Sequence, residues 1–203
     1  VLRAAKKHMD LPLELTELPY GSDYYLRTGI ALPAEERARI GREYSGILLG
    51  AVGDPRVPDN HTAREIVLGL RFDLDLYMNI RPVKLLNVKI GPLKNKTRND
   101  VNFTIIRENT EGVYCGIGGQ LHPHTDNEVA IATMISTHRG VERIVRGAFE
   151  YAQQHGQKKV CLVHKHNAVP QYFGLWLRLF GEISQEFPDI EPSDMLVDRT
   201  AME

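Results

Sequence analysis

The sequence predicts an α/β fold, because short apolar segments with the period of a strand alternate along the chain with amphipathic helical segments. The clearest helix follows Thr137, where an apolar stripe over residues 141–152 repeats at helical spacing and Gly156 ends the pattern. An apolar strand over residues 159–164 comes next, and a second amphipathic helix follows it over residues 172–187.

The remaining segments continue this alternation. We expect a short strand at residues 11–15, a polar helix opened by Pro33, and a buried parallel strand at residues 45–52. Thr62 is the expected cap of a helix that runs to Phe72. Other predicted elements are strands at residues 74–80, 101–106 and 195–197, and an extended hairpin-like arm at residues 114–135. The pattern changes near residue 80, so two domains are expected, residues 1–80 and 81–203.

Composition excludes several classes of function. The 203 residues are 42% hydrophobic and 25% charged, which is ordinary for a globular protein. A net charge of −1 favours neither nucleic acid nor a membrane surface as a partner, and no apolar run approaches the roughly 20 residues that span a bilayer. The two cysteines, Cys115 and Cys161, are expected to be reduced thiols in a cytoplasmic protein. The first residue is Val1, which suggests that the start is missing.

Two polar segments follow helix or strand ends in the first two-thirds of the chain. Arg71 ends one predicted helix and Arg81 lies on the next strand, where two guanidinium groups could grip a dicarboxylate. The alternative is a pair of surface arginines. The second segment runs from Arg107 to Tyr114, and a tyrosine beside cationic groups can act as a general acid. Its alternative is a polar loop with a packing tyrosine.

The last segments place a lysine and an aspartate after strands. Lys165 follows an apolar strand, where partial loss of solvent favours a base role. Asp198 follows residues 195–197 and is either a helix cap or a hard oxygen ligand for Mg²⁺ or Mn²⁺. The glycine-containing loop at residues 50–55 is weak evidence for nucleotide binding, since it is not a GxGxxG motif.

Taken together and in this order, six segments resemble the β-decarboxylating dehydrogenases, the family of isocitrate and isopropylmalate dehydrogenases. The segments are LLGAVGDP from Leu48, LRFDLDLYMNIRPVKLL from Leu70, RENTEGVYCG from Arg107, THRGVERIVRGAFEYA from Thr137, VHKHN from Val163 and VDRTAM from Val197. The resemblance implies a two-domain α/β fold with mixed sheets, not of the Rossmann type, that dimerises through its second domain. Family members begin earlier and continue further, so the chain is expected to lack the family's N- and C-terminal parts.

The resemblance also implies roles for the polar residues. Arg71, Arg81 and Arg107 correspond to the arginines that clamp the malate-type carboxylates. Tyr114 and Lys165 correspond to the catalytic tyrosine and lysine, and the family offers this lysine to the neighbouring subunit's site.

The cofactor residues follow from the same resemblance. Asn167 corresponds to the asparagine near nicotinamide and substrate, and Asp198 to a metal-binding aspartate shared across the dimer. The loop from Asp54 to Arg64 corresponds to one that lines the nicotinamide side. The implied cofactors are Mg²⁺ or Mn²⁺ together with NAD, and the residues that would exclude NADP lie outside this chain.

The implied reaction is the oxidative decarboxylation of a 3-substituted malate. Lys165 takes the hydroxyl proton as hydride leaves for NAD⁺, the metal stabilises the enolate, and Tyr114 protonates the enol carbon. Val67 and Leu68 lie where isopropylmalate dehydrogenases contact an alkyl group, which favours 3-isopropylmalate and leucine synthesis. Arg64 is open between meeting a distal substrate anion and facing solvent. The alternatives are a tartrate/malate, isocitrate or homoisocitrate type of enzyme, or a non-catalytic regulatory subunit of the same fold.

Overall fold

The computed structural model describes residues 1–203, and the chain contains both helices and strands, so the α/β prediction is confirmed. The residues form two compact units, Val1–Leu74 and Asp75–Glu203. None of the helices is both long and apolar enough to cross a membrane.

The first unit is helical. Its helices are α1 (Leu2–Met9), α2 (Ser22–Thr28), α3 (Ala34–Glu43), α4 (His61–Ala63) and α5 (Gly69–Asp73), with a π-helical turn, Arg64–Leu68, between the last two. A 3₁₀ turn, Pro58–Asn60, precedes α4. The core consists of apolar side chains from α3, from the turn before it, and from the π turn and α5: Ala31, Leu32, Ile40, Ile66 and Leu70.

Two strand predictions in this unit are wrong. Residues 11–15 and 45–52 are irregular, and Leu48 is 71% exposed instead of buried. A strand needs a neighbour that accepts and donates its backbone hydrogen bonds, and no strand pairs with either segment. Thr62 is also not a cap. It lies within α4, is fully buried, and donates its hydroxyl proton to the Val52 carbonyl at 2.9 Å.

The second unit contains all six strands, paired two by two. β1 (Met78–Lys84) and β2 (Asn102–Glu108) are antiparallel, as are β3 (Gly118–Leu121) and β4 (Val129–Ala132). β5 (Lys159–His164) and β6 (Glu191–Leu196) are parallel, so sheets of both kinds occur, each with two strands. The β3–β4 hairpin confirms the predicted arm, and both of its strands are exposed along their whole length.

Three helices complete the second unit: α6 (His138–Gln154), α7 (Pro170–Ser184) and α8 (Val197–Met202). α6 is the predicted helix. Thr137 caps it by accepting the Gly140 N–H at 3.0 Å, and Gly156 adopts a left-handed φ of 65° just beyond its end. α7 begins two residues earlier than predicted, because Pro170 is accommodated in the first helical turn.

The core of this unit lies between α6, α7 and β5. Phe149 is fully buried at its centre, with its ring centroid 5.3 Å from that of Phe180 and 5.2 Å from that of Phe187. Since aromatic side chains bury large apolar areas, these three rings contribute much of the apolar packing in this core.

Replacing Phe149 with alanine is expected to lower the free energy of unfolding by about 3–5 kcal/mol, because it leaves a cavity in a close-packed core. Equilibrium urea unfolding measures the loss. Glu150→Ala is the control. Glu150 is the next residue on the same helix and its side chain is exposed, so its replacement should change the free energy of unfolding by less than about 0.5 kcal/mol. Equal effects of the two substitutions would contradict the assigned core.

Candidate active site

One group of predicted site residues lies on the β1–β2 pair. Asn79 pairs with Arg107 and Arg81 with Ile105, and residues opposite each other in an antiparallel pair share a face, so both arginines lie on one face of the sheet. The Arg81 Nε donates to the Asn79 Oδ1 at 3.0 Å, which fixes the direction of that guanidinium. The structure therefore brings two of the three predicted arginines together.

Tyr114 belongs to the same group. It lies in a 3₁₀ turn, Val113–Cys115, and the residue is 55% exposed. The Arg107 guanidinium carbon lies 5.3 Å from the centre of the tyrosine ring, within the range of a cation–π contact. The phenol thus stands beside a positive charge at the edge of the arm, as a proton donor to a substrate held by arginine would need to.

The loop before Tyr114 is held by its own carboxylates. Glu108 accepts from the Thr110 hydroxyl at 2.7 Å and from two backbone N–H groups, those of Thr110 and Glu111. Glu111 accepts from the Thr137 N–H at 2.8 Å and from the Thr137 hydroxyl at 2.6 Å. These bonds attach the loop to the start of α6 and so fix the position of the residues that precede Tyr114.

Two further contacts explain why the loop can sit so close to α6. Gly140 has no side chain, and a Cβ there would overlap the Glu111 carboxylate. Arg143, one turn further along α6, donates to the Thr110 hydroxyl at 2.8 Å and to the Asp75 carboxylate at 2.6 Å. Its hydrogen bond holds the pKa of Asp75 below the usual range. The start of α6 therefore holds the loop through both Thr137 and Arg143.

A second group of predicted site residues follows the β5–β6 pair. Lys165 comes directly after β5, and Asp198 lies in the first turn of α8, directly after β6. Because β5 and β6 are parallel, their carboxyl ends meet at one edge, where the Lys165 ammonium forms an ion pair with the Asp198 carboxylate. Asn167 is exposed two residues beyond Lys165. No hydrogen bond or ion pair joins this group to Arg107 and Tyr114.

The other candidates lie in the first unit. Arg64 is exposed at the start of the π-helical turn, and Val67 and Leu68 are half-buried in the same turn. Such turns are often found where a helix carries a functional side chain. Arg71 follows on α5. Asp54 accepts hydrogen bonds from the Arg56 side chain and backbone, which lower the pKa of Asp54 to about 2 and keep it ionised at neutral pH.

These residues do not by themselves form a metal site. No three His, Cys, Asp or Glu side chains are grouped so as to hold an ion. Asp198 offers one carboxylate, whereas Mg²⁺ requires octahedral coordination by oxygen atoms. A cavity of about 330 Å³ lies at the base of the arm, but none of the predicted site residues lines it; its walls are Met134, Ser136, Val169, Gln171, Tyr172 and Leu175.

Sequence reasoning missed several supporting residues. Asn79 accepts a hydrogen bond from Arg81, and Glu111 accepts one from Thr137 at the start of α6. His164, at the end of β5, is hydrogen-bonded to Asp194 on β6. Asn79 and Glu111 lie inside the conspicuous polar segments, but nothing in the linear pattern shows which group they meet. His164 has a usable signal, since it shares the inward alternation of Leu162 on an apolar strand.

The structure thus sets a lysine–aspartate ion pair at the end of a parallel strand pair, and two arginines on an antiparallel pair, one of them beside a tyrosine. The family model for isocitrate/isopropylmalate dehydrogenase matches residues 1–203. The chain therefore belongs to the isocitrate/isopropylmalate dehydrogenase family.

Similar proteins agree with this assignment. The 3-isopropylmalate dehydrogenase of Bifidobacterium longum subsp. infantis is 43% identical over 188 residues, which are 93% of this chain and 53% of that protein. That of Thermobifida fusca is 38% identical over 202 residues and is covered over 57% of its length. The chain thus spans about half the length of these relatives.

The fold is shared with solved structures. The isocitrate dehydrogenase of Methylococcus capsulatus superposes with a TM-score of 0.76 at 32% identity, over 97% of this chain and 55% of that one. The TT0538 protein of Thermus thermophilus superposes with a TM-score of 0.75 at 26% identity, over 98% of this chain and 38% of that one.

Proposed function

We propose that these residues belong to an enzyme that oxidatively decarboxylates a 3-substituted malate, with 3-isopropylmalate as the substrate and NAD⁺ as the hydride acceptor. The observation that carries the proposal is the pairing of Lys165 with Asp198 where two parallel strands end. The names of the relatives, 3-isopropylmalate dehydrogenases, supply the substrate class.

The roles follow from the chemistry of the side chains. Arg71, Arg81 and Arg107 bind the two carboxylates of the malate, since guanidinium groups pair with carboxylates through two parallel hydrogen bonds. Lys165 accepts the hydroxyl proton while hydride leaves, and Tyr114 returns a proton to the enol carbon after loss of CO₂. Asp198 supplies one oxygen ligand to Mg²⁺ or Mn²⁺, whose chemistry is the stabilisation of negative charge on the substrate oxygen.

The cofactor and the compartment are part of the same proposal. Asp54, Arg64 and Asn167 lie toward the nicotinamide, with residues 1–80 as part of the cofactor-binding domain and residues 81–203 as the substrate-binding and dimerisation domain. NADP is a second possible acceptor. A cytoplasmic location agrees with the two free thiols, Cys115 and Cys161.

Val67 and Leu68 support an alkyl-substituted malate, because both are apolar and half-buried in the π-helical turn. The exposure of Arg64 in the same turn favours a second candidate function, that of an isocitrate-type enzyme. Its guanidinium could bind the third carboxylate of such a substrate. A screen of substituted malates with NAD⁺ or NADP⁺ and Mg²⁺, on the protein that contains this chain, tests both. Absence of turnover with all of them would favour a non-catalytic subunit.

We expect the protein to be a homodimer in which the arm contacts a second copy. Ile131, Val129 and Leu121 lie on one face of the arm and are exposed apolar side chains. Ile131→Asp should shift the protein to a monomer in light scattering at micromolar concentration. Ala130→Asp, on the opposite face, is the matched control and should stay dimeric. A monomeric unmodified protein would contradict the dimer.

Arg107→Ala is expected to lower kcat/KM by roughly 10–100-fold, because one charge-assisted bidentate contact contributes about 1.5–3 kcal/mol. Steady-state kinetics with the malate measure the loss. Arg3→Ala is the control, since Arg3 makes only an exposed ion pair with Glu17 and should leave the kinetics unchanged. Unaltered kinetics in Arg107→Ala would remove it from the carboxylate clamp.

Lys165→Met and Tyr114→Phe are expected to fail at different steps. Without the base, hydride transfer itself stops, so Lys165→Met should show no burst of NADH. Tyr114→Phe removes a proton donor that acts later, so it should keep a single-turnover burst while turnover falls about 10²–10⁴-fold. Stopped-flow absorbance of NADH distinguishes the two. A full burst in Lys165→Met would show that the roles are assigned wrongly.

Mixing the two variants tests whether subunits share sites. If Lys165 acts in the neighbouring subunit's site, a heterodimer of Lys165→Met and Tyr114→Phe contains one site with both residues intact. Activity should then appear on mixing and subunit exchange. If both residues act within one subunit, each site in the heterodimer lacks one of them, and no activity returns.

A further inference from the structure

The environment of His164 on β5 is unusual for a residue with no assigned role. Its side chain is buried, and its residue as a whole is 6% exposed. The Nε2 lies 3.0 Å from the Asp194 Oδ2 on β6, and the Nδ1 accepts the backbone N–H of His166 at 3.1 Å. Both ring nitrogens therefore form hydrogen bonds, one with β6 and the other with the backbone just after Lys165.

These partners fix the tautomer of the ring. A backbone N–H can only donate, so the Nδ1 must present its lone pair. The proton of the neutral ring is then on Nε2, from which it is donated to the Asp194 carboxylate. His164 thus acts as a connector with a defined direction, accepting at one end and donating at the other.

The hydrogen bonds of His164 hold the backbone on both sides of Lys165. The His164 ring belongs to the last residue of β5, and its Nδ1 binds the backbone of His166, so residues 164–166 form a small closed loop around Lys165. On the other side, the Lys165 carbonyl accepts from the N–H groups of Ala168 and Val169 at 3.1 and 3.0 Å. The backbone of Lys165 is held from both directions.

The same ring also connects Lys165 to its partner. Asp194 lies on β6, four residues before Asp198, and Asp198 forms the ion pair with Lys165. The Nε2 bond therefore adds a side-chain link between the strand that ends at Lys165 and the strand that leads to Asp198, beyond the backbone pairing of β5 with β6.

We propose that His164 is a positioning residue that sets the Lys165 amine relative to Asp198 and to the substrate through its Nδ1 bond to the His166 backbone, while its Nε2 bond to Asp194 orients the ring. The inference rests on the proposed function for the role of Lys165, but not for the geometry of the connector. A displacement of about 1 Å at a proton-transfer group can lower a rate roughly 10²-fold, so loss of the loop bond acts on kcat more than on KM.

Two conservative replacements separate the two bonds. His164→Asn places an amide oxygen near the position of Nδ1 and can still accept the His166 N–H. His164→Gln places an amide N–H near the position of Nε2 and can still donate to Asp194. His164→Leu keeps neither. His155→Gln is the control, because His155 is exposed just beyond α6 and its ring bonds to the Tyr151 carbonyl and stacks on the Tyr151 ring.

The kinetic test uses the protein that contains this chain, with the substituted malate that it turns over best. His164→Leu and His164→Gln should lower kcat about 10–100-fold while KM changes less than about threefold, and His164→Asn should retain kcat within about fivefold. His155→Gln should match the unmodified protein. Equal losses in all three His164 variants, or a loss confined to KM, would overturn the positioning role.

A measurement independent of activity distinguishes failure of this inference from failure of the proposed function. Nitrogen-15 spectra of the imidazole should show His164 protonated on Nε2, and hydrogen exchange should show a slow His166 amide that becomes fast in His164→Gln and His164→Leu but not in His164→Asn. A ring protonated on Nδ1, or a His166 amide that exchanges quickly in the unmodified protein, would overturn the inference even if the enzyme is active. If these spectra are observed in a protein without activity, the proposed function is overturned, whereas the assigned hydrogen bonds of His164 remain valid.

Discussion

The packing of α6 is the constraint on which most of the second unit depends. Its buried face, centred on Val141, Ile144 and Phe149, forms one side of the core. Its first turns do a different task, because Thr137 and Arg143 hold the loop that leads to Tyr114. One helix therefore contributes apolar burial along its middle and polar attachment at its start. Because the loop is hydrogen-bonded to a helix that packs in the core, the core also fixes the start of the turn that carries the exposed Tyr114.

The polar residues divide according to the strands that carry them. Arg81, Arg107 and Tyr114 depend on an antiparallel pair, in which residues facing each other share one side of the sheet. Lys165 and Asp198 depend on a parallel pair, whose carboxyl ends lie together. The first arrangement collects positive charge beside a phenol, and the second sets a cation against a carboxylate. Under the proposed function, the first arrangement would bind the carboxylates of a malate-type substrate and the second would act at its hydroxyl group.

Much of the candidate site could be predicted from the linear sequence. Lys165 and Asp198 were recognisable because each follows a strand, and Arg107 and Tyr114 because they share one short polar segment. The supporting residues could not be found in the same way. Gly140 leaves space for the Glu111 carboxylate, which comes from well before it in the chain, and His164 is held by Asp194 from 30 positions later. Contacts at such separations are set by packing and leave no local pattern.

The predicted strands at residues 11–15 and 45–52 failed for a related reason. An apolar or alternating segment becomes a strand only where a partner strand is available, and neither segment has one.

The sequence by itself determined the elements whose signals are local. The span of α6 follows from its apolar stripe, its Thr137 cap and the left-handed Gly156, and the strand before Lys165 follows from its apolar run. Only the tertiary structure decided how those elements meet: that β5 pairs in parallel with β6, that the Arg107 guanidinium lies over Tyr114, and that a buried histidine ring joins two strands around Lys165. The physical reason is range. Caps and periodicity act within one or two turns of a helix, whereas strand pairing and charge placement depend on groups that approach each other only when the apolar core has formed.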